Sequence, residues 1–345
     1  MLNVLLMVLP SVVTIVMQAT RISASMTAYS TAVGPSSLTR NRMRRFLISL
    51  AIGLWAGWTS HLHNLLSLPD RPSDYYWAHY AAKKVLRGEN PYTIVPDRAF
   101  IPYPLTTALV GLPLSFLPAA AAAAVFNGAS AMLLAWGLLK DLEYWRLLVF
   151  VSFPYRVALD TNQWSPLLFA VALSPGLLPL VLAKPQYFIP VALPRLTFWR
   201  VLGCVALGGA SLWVMPAWPW IWRSQLGPYT GYVPLWCYPV LWLALLRYRD
   251  PVAWQFLLIA AMPQKLYAYD VLLLWMLPRC KIEMSVLTAG SWVLALLGFA
   301  LGISSGGTLP YFYLPVLCIV LSPTWMHWLS MLGYWRRLMR RSIAS

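Results

Sequence analysis

The chain has 345 residues, is 60% hydrophobic and only 10% charged, and carries 26 lysines and arginines against 10 acids, a net charge of +16. Repeated apolar runs bounded by Arg or Pro exclude an ordinary soluble domain, and the lack of alternating strand-length patterns excludes an outer-membrane barrel. The remaining class is an all-α, polytopic helical membrane bundle.

The basic residues are placed by topology. Arg40, Arg42, Arg44 and Arg45 precede one apolar run, and Arg336, Arg337, Arg340 and Arg341 follow the last. Arg195 and Arg200, Arg247 and Arg249, and Arg279 and Lys281 fill short gaps between apolar segments, the positive-inside pattern of cytoplasmic loops. Nucleic acid is therefore not an expected partner.

In chain order, residues 1–45 come first as a segment of open status. Its apolar start lacks the basic n-region of a secretory signal, so an extra helix, a degenerate signal and a start codon upstream of the true one near Met43 all remain. The transmembrane domain is expected over 46–335, followed by a basic tail, 336–345. Phe46–Leu66 reads as the first spanning helix, its start held in the cytoplasm by Arg44 and Arg45, which places 67–102 outside as the first extracytoplasmic loop.

About ten to twelve membrane segments are expected in all. Later ones fall at 103–117, 119–139, 147–159, 165–182, 186–194, 200–217, 232–247, 251–263, 266–278, 285–303 and 309–332. Several are short and broken by Pro175, Pro179, Pro185, Pro190 and Pro194, which predicts half-helices lining a cavity or, alternatively, ordinary kinks. Cys204, Cys237, Cys280 and Cys318 lack paired spacing, and His61 and His63 do not share a helix face, so no metal centre is expected.

The loop 67–102 holds four of the ten acids, Asp70, Asp74, Glu89 and Asp97. Ser73 reads as an N-cap and Asp74 as a first-turn acid of an amphipathic helix that runs through Tyr76, Tyr80, Lys84 and Arg87 and ends near Gly88. A carboxylate at a helix N-terminus is held ionised by backbone donors, and can serve as a base or simply as a cap. Lys184, between apolar half-helices, is costly unless it meets an anion or snorkels to the interface. Asp270 either binds hydroxyl groups or pairs with Lys265. Asn162, Gln163 and Tyr103 suit sugar hydroxyls, though capping and interhelical bonding explain them equally well. Trp213, Trp218, Trp220, Trp222, Tyr229 and Tyr232 read either as an interfacial belt or as an aromatic wall for a lipid or sugar. No Walker loop, dinucleotide fingerprint or metal triad is present, so no cofactor is expected.

Asp74-Tyr75-Tyr76, Ala81-Ala82, Leu86, Gly88, Asn90-Pro91-Tyr92, Phe100, Tyr103-Pro104, Pro113 and Leu117-Pro118 together resemble the first extracytoplasmic loop and second helix of glycosyltransferase family 87, of GT-C type. Asn162-Gln163-Trp164 looks like that family's Gly-Gln-x-Asn element, and Lys184-Pro185 like its Lys-Pro element. The resemblance covers about residues 46–280. Leu105, Asn162 and Ser165 depart from it where proline, glycine and asparagine are usual.

The family includes polyprenyl-phosphate-mannose-dependent mannosyltransferases of bacterial envelope synthesis. The resemblance implies an inverting glycosyltransferase of the cytoplasmic membrane. It would move a hexose or pentose from a polyprenyl-phosphate donor to a glycan or glycolipid acceptor on the outer face. Asp74 would be the catalytic base, Lys184, Lys265 and Arg71 the donor-phosphate ligands, and Tyr75, Tyr76, Tyr103, Asn162, Gln163 and Asp270 would meet sugar or acceptor. Arg156 is harder to place. A non-catalytic scaffold of the same descent, and a lipid or polyol transporter, are the alternatives; a transporter should show internal repeats, and none is evident.

Overall fold

The computed structural model describes residues 35–66, 74–93, 103–226, 232–264, 267–303 and 311–322, with the side chains of 35–38 left out. Among these residues the chain is helical and forms no strand; its one β-type contact is a bridge between Tyr232 and Gln264. Helices α1 (Pro35–Leu66), α2 (Asp74–Leu86), α3 (Leu105–Gly111), α4 (Ala119–Leu138), α5 (Phe153–Asp160) and α6 (Ser165–Leu173) make the first half. They are followed by α7 (Phe198–Val214), α8 (Trp218–Gln225), α9 (Pro234–Cys237), α10 (Pro251–Ala260), α11 (Lys281–Ala300) and α12 (Tyr311–Ser322).

The chain divides into two units. The described part of Met1–Ile48 is the mostly exposed, arginine-bearing start of α1; Ser49–Ser345 contains the hydrophobic core.

Membrane-like character is present, but on fewer elements than the apolar runs suggest. Among the described residues, two helices are long and apolar enough to cross a bilayer, Ala119–Asp141 and Lys281–Ala300; α7 and α8, bent by 89° at Met215-Pro216-Ala217, make a third if counted as one span. Polar His61, His63 and Asn64 dilute the apolar stretch of α1. The segments expected at 147–159, 165–182, 232–247 and 266–278 are built instead from short α turns and the 3-10 helices Tyr144–Val151, Pro175–Ala183, Pro239–Arg247 and Ala268–Met276. Proline explains two of these directly, since Pro175, Pro179 and Pro239 supply no amide donor and clash with the preceding turn. The segment expected at 186–194 is a π-helical turn, Phe188–Ala192, with Pro190 inside it.

The centre is formed by elements buried on all sides. Helix α6 buries every residue from Ser165 to Ala172, and the 3-10 run buries every residue from Ala268 to Trp275. At one crossing the backbones of α1 and α4 come close. A Cβ added to Gly53 would sit 2.8 Å from the Gly128 carbonyl oxygen, and one on Gly128 would sit 2.9 Å from that of Gly53. With Gly57 four residues on, this is the small-residue spacing by which helices pack where water supplies no hydrophobic drive.

The amphipathic loop helix forms as its sequence signals predict. Gly88 takes φ +69°, Gly88 N–H donates to Val85 O at 3.0 Å and Glu89 N–H to Lys84 O at 2.9 Å, a Schellman ending that frees few carbonyls. Its expected cap Ser73 lies outside the described residues, as do Asp70, Arg71, Asp97, Phe100, Tyr229, Lys265 and the tail from 323.

Candidate functional site

Asp74 opens α2, and its carboxylate Oδ2 lies 3.3 Å from Lys184 Nζ. Asp270 Oδ1 lies 3.8 Å from the same ammonium. The three side chains are 12%, 4% and 2% exposed respectively, so one cation and two anions share a nearly dry site. Charges at such depth persist only when paired and hydrogen-bonded. Aromatic groups complete the shell: the ammonium lies 5.1 Å from the Tyr269 ring centroid and 5.6 Å from that of Tyr187. Tyr187 Oη lies 3.2 Å from Ser165 Oγ and 3.5 Å from Asp270 Oδ1, and the buried Tyr103 phenol is in hydrogen-bonding reach of Asp74.

Local breaks position the cation. Lys184 sits between two 3-10 helices at φ −141°, ψ 82°, because Pro185 disfavours helical geometry in the residue before it. The carbonyls just before this break need donors, and α3 supplies them: Thr106 Oγ1 donates to Leu182 O at 2.6 Å and Thr107 Oγ1 to Ala183 O at 2.7 Å. Sequence reasoning missed both threonines. The available signal was a hydroxyl pair beginning two residues past Pro104 in a chain whose Lys-Pro break must leave carbonyls open.

A second network positions the carboxylate. Asn162 adopts φ +49°, a left-handed conformation that asparagine and glycine tolerate. Its backbone carbonyl accepts Tyr75 N–H at 3.3 Å, next to Asp74. Its side-chain Oδ1 accepts from Asn127 Nδ2 at 2.7 Å, Ser60 Oγ at 3.1 Å and Asn64 Nδ2 at 3.3 Å, while its Nδ2 donates to Asn64 Oδ1 at 3.0 Å. This amide bonds α1 and α4, which is the interhelical bonding that stood beside sugar binding in the sequence reading.

The other predicted residues separate clearly. Tyr75 is buried and stacks on Phe126 at 4.2 Å, with Trp164 at 6.3 Å, while Tyr76 is only partly buried. The Tyr75 hydroxyl, Gln163 Oε1 and Trp164 Nε1 are buried with no hydrogen-bond partner among the described residues, and together they offer two donors and an acceptor. Asp270 pairs with Lys184. Arg156 bonds Asp160 at 2.9 Å one helical turn away, so it is not part of the site. The aromatic cluster divides: Trp218 and Trp222 pack against Trp77, Tyr92, Tyr103 and Leu105, whereas Trp213 and Trp220 face outward. Gln225 Nε2 donates to Tyr92 O at 2.6 Å and Tyr92 Oη to Tyr103 O at 3.0 Å, tying α8 to the edge of the site.

His79, on the loop helix, bonds the Leu117 carbonyl through Nε2 at 3.0 Å. Burial pushes its pKa below the ordinary range, against the raising effect of that carbonyl and with help from Lys83.

No family model matches the chain, and no curated protein or solved structure matches it either.

Proposed function

We propose that this protein is a multi-pass glycosyltransferase of a bacterial cytoplasmic membrane, transferring a sugar with inversion from a polyprenyl-phosphate donor to a glycan or glycolipid acceptor on the outer face. The observation that carries this reading is the buried triad of Asp74, Lys184 and Asp270, which joins the loop helix to the Lys-Pro break that the resemblance singles out.

Asp74 takes the proton of the acceptor hydroxyl as its oxygen bonds to the anomeric carbon, and the bond from that carbon to the phosphate oxygen breaks, its electrons leaving with the polyprenyl phosphate. The donor is a phosphodiester with one negative charge, and the departing monoester gains a second. Proton transfer to Asp74 simultaneously takes the triad from one net negative charge to zero, so Lys184 becomes available to the phosphate as its charge grows. Stabilisation that strengthens along the reaction lowers the barrier rather than merely tightening substrate binding. Before transfer, Lys184 orients Asp74; Arg71 and Lys265, sequence neighbours of the two acids, are assigned to the donor phosphate. The unpartnered polar atoms of Tyr75, Gln163 and Trp164 supply acceptor or sugar contacts.

The test is transfer from a polyprenyl-phosphate sugar by purified protein. Asp74→Asn should fold and lower the rate by about 10²- to 10⁴-fold, the range of general-base loss. Full activity in a folded Asp74→Asn protein would sink the assignment.

A further inference from the structure

A second charged site lies in the gap between the 3-10 helix Pro239–Arg247 and α10. Leu246, Arg247, Tyr248, Arg249, Asp250 and Pro251 line an open pocket of about 400 Å³. Asp250 is its hub: Oδ1 accepts Val252 N–H at 2.9 Å, capping α10, and Oδ2 lies 3.1 Å from Arg247 Nη2 and 3.3 Å from Arg279 Nη2. Burial pushes the Asp250 carboxyl up, but the Val252 amide, Arg247 and Arg279 together pull it below the ordinary range. The carboxylate orients the guanidiniums without cancelling them, since three arginines against one acid leave a surplus of two positive charges. Lys281 and Glu283, at the start of α11, add one charge of each sign.

The rim is that of a membrane interface. Leu246, Tyr248 and Trp254 are exposed, the Trp254 indole N–H donates to Tyr248 O at 2.6 Å, and Arg249 lies over the Tyr248 ring while donating from Nε to its hydroxyl at 2.9 Å. Aromatic groups with one polar edge sit at headgroup level, and planar guanidiniums match the oxygens of a phosphate.

We propose that the pocket lined by Arg247 and Arg249, with Arg279 joined to it through Asp250, binds the phosphate group of an anionic membrane lipid, with Tyr248 and Trp254 against the glycerol and upper acyl chains. The positive-inside placement of these arginines puts the pocket at the cytoplasmic leaflet, the side whose anionic lipids attract basic clusters beside membrane helices. The inference is independent of the glycosyltransferase reading and does not involve the Asp74 triad.

The test measures lipid retention by native mass spectrometry and thermal stabilisation of the full chain in mixed micelles containing phosphatidylglycerol or phosphatidylcholine. Wild type should retain phosphatidylglycerol preferentially. Arg249→Gln should weaken that retention about tenfold, the loss expected for one charge-assisted contact, and Arg249→Gln with Arg279→Gln should remove the preference. Arg249 is exposed, so its single variant should fold even if the double variant does not; Arg87→Gln, in the turn that follows α2, should behave as wild type. Inorganic phosphate is the third probe. Displacement of the lipid by it supports the site with the phosphate group alone as determinant, and failure to displace supports it with the anchored headgroup as determinant. Equal retention of both lipids by wild type, or unchanged preference in Arg249→Gln and the double variant, overturns the proposal.

Discussion

Asp74 and Tyr75 are neighbours in the chain, yet they tie α2 to two different kinds of buried polar cluster. Through Asp74 the helix meets Lys184 and Asp270, a set of ionisable groups within 3.8 Å of one ammonium. Through the Tyr75 amide it meets Asn162 and, beyond it, Asn127, Ser60 and Asn64, a set of neutral groups whose donors and acceptors are matched among themselves. Neutral amides hold a geometry at modest desolvation cost, whereas charges respond to protons and to approaching anions. One cluster is suited to hold α2 in place and the other to react.

Removing charge from the ionic cluster should have the greater effect. Lys184→Met leaves two buried carboxylates uncompensated, so it should destabilise the fold by about 3–5 kcal/mol, read as a lowered unfolding midpoint in detergent, and abolish transfer. If the midpoint falls by less than about 1 kcal/mol, the triad is wetter than its geometry indicates.

The neutral cluster should show a smaller, geometric penalty. Asn127→Ala deprives Asn162 Oδ1 of its shortest bond and should cost about 1–3 kcal/mol. Asn162→Ala should cost about 1 kcal/mol more than Asn162→Gly, because alanine resists the left-handed backbone that glycine accepts. In transfer assays these variants should change the rate without shifting the pH profile, since neither removes a charge. A shifted profile would show that the two clusters are electrostatically one.

The smallest effect concerns pH. His79 has a folded-state pKa depressed below its unfolded value, so its contribution to stability is complete above about pH 6.5 and declines as pH falls through the ordinary histidine range toward the folded value. Wild type should lose thermal stability below about pH 6 more steeply than His79→Gln. Parallel curves would remove His79 from the account.

Much of the loop helix was legible. Asp74 starts it, Gly88 ends it, and both follow from rules that operate within one turn of chain. The break at Lys184 was legible for the same reason, because Pro185 acts on its immediate neighbour. Partnership across the fold was not. Lys265, five residues from Asp270, lies outside the described residues; among those described Asp270 meets Lys184, and periodicity reports local faces without specifying which distant breaks converge. Of the ten to twelve crossings expected, two or three are shown among the described residues, because hydropathy registers apolar content while proline and 3-10 geometry determine whether that content forms a single helix of spanning length. For Asn162 the residue type leaves sugar binding and interhelical bonding equally open, and its backbone angle and three interhelical partners supply the second.

The close crossing of α1 and α4 at Gly53 and Gly128 bears on the order in which the protein is made. Both helices leave the ribosome before residue 140, so their contact needs nothing from the later chain. Asn162 arrives next and closes the amide network, while Asp74 must wait until Lys184, 110 residues downstream, has been synthesised and inserted. In order of synthesis, then, the neutral contacts of α1 and α4 are available first, and the charged triad is complete only once Asp270 has followed Lys184.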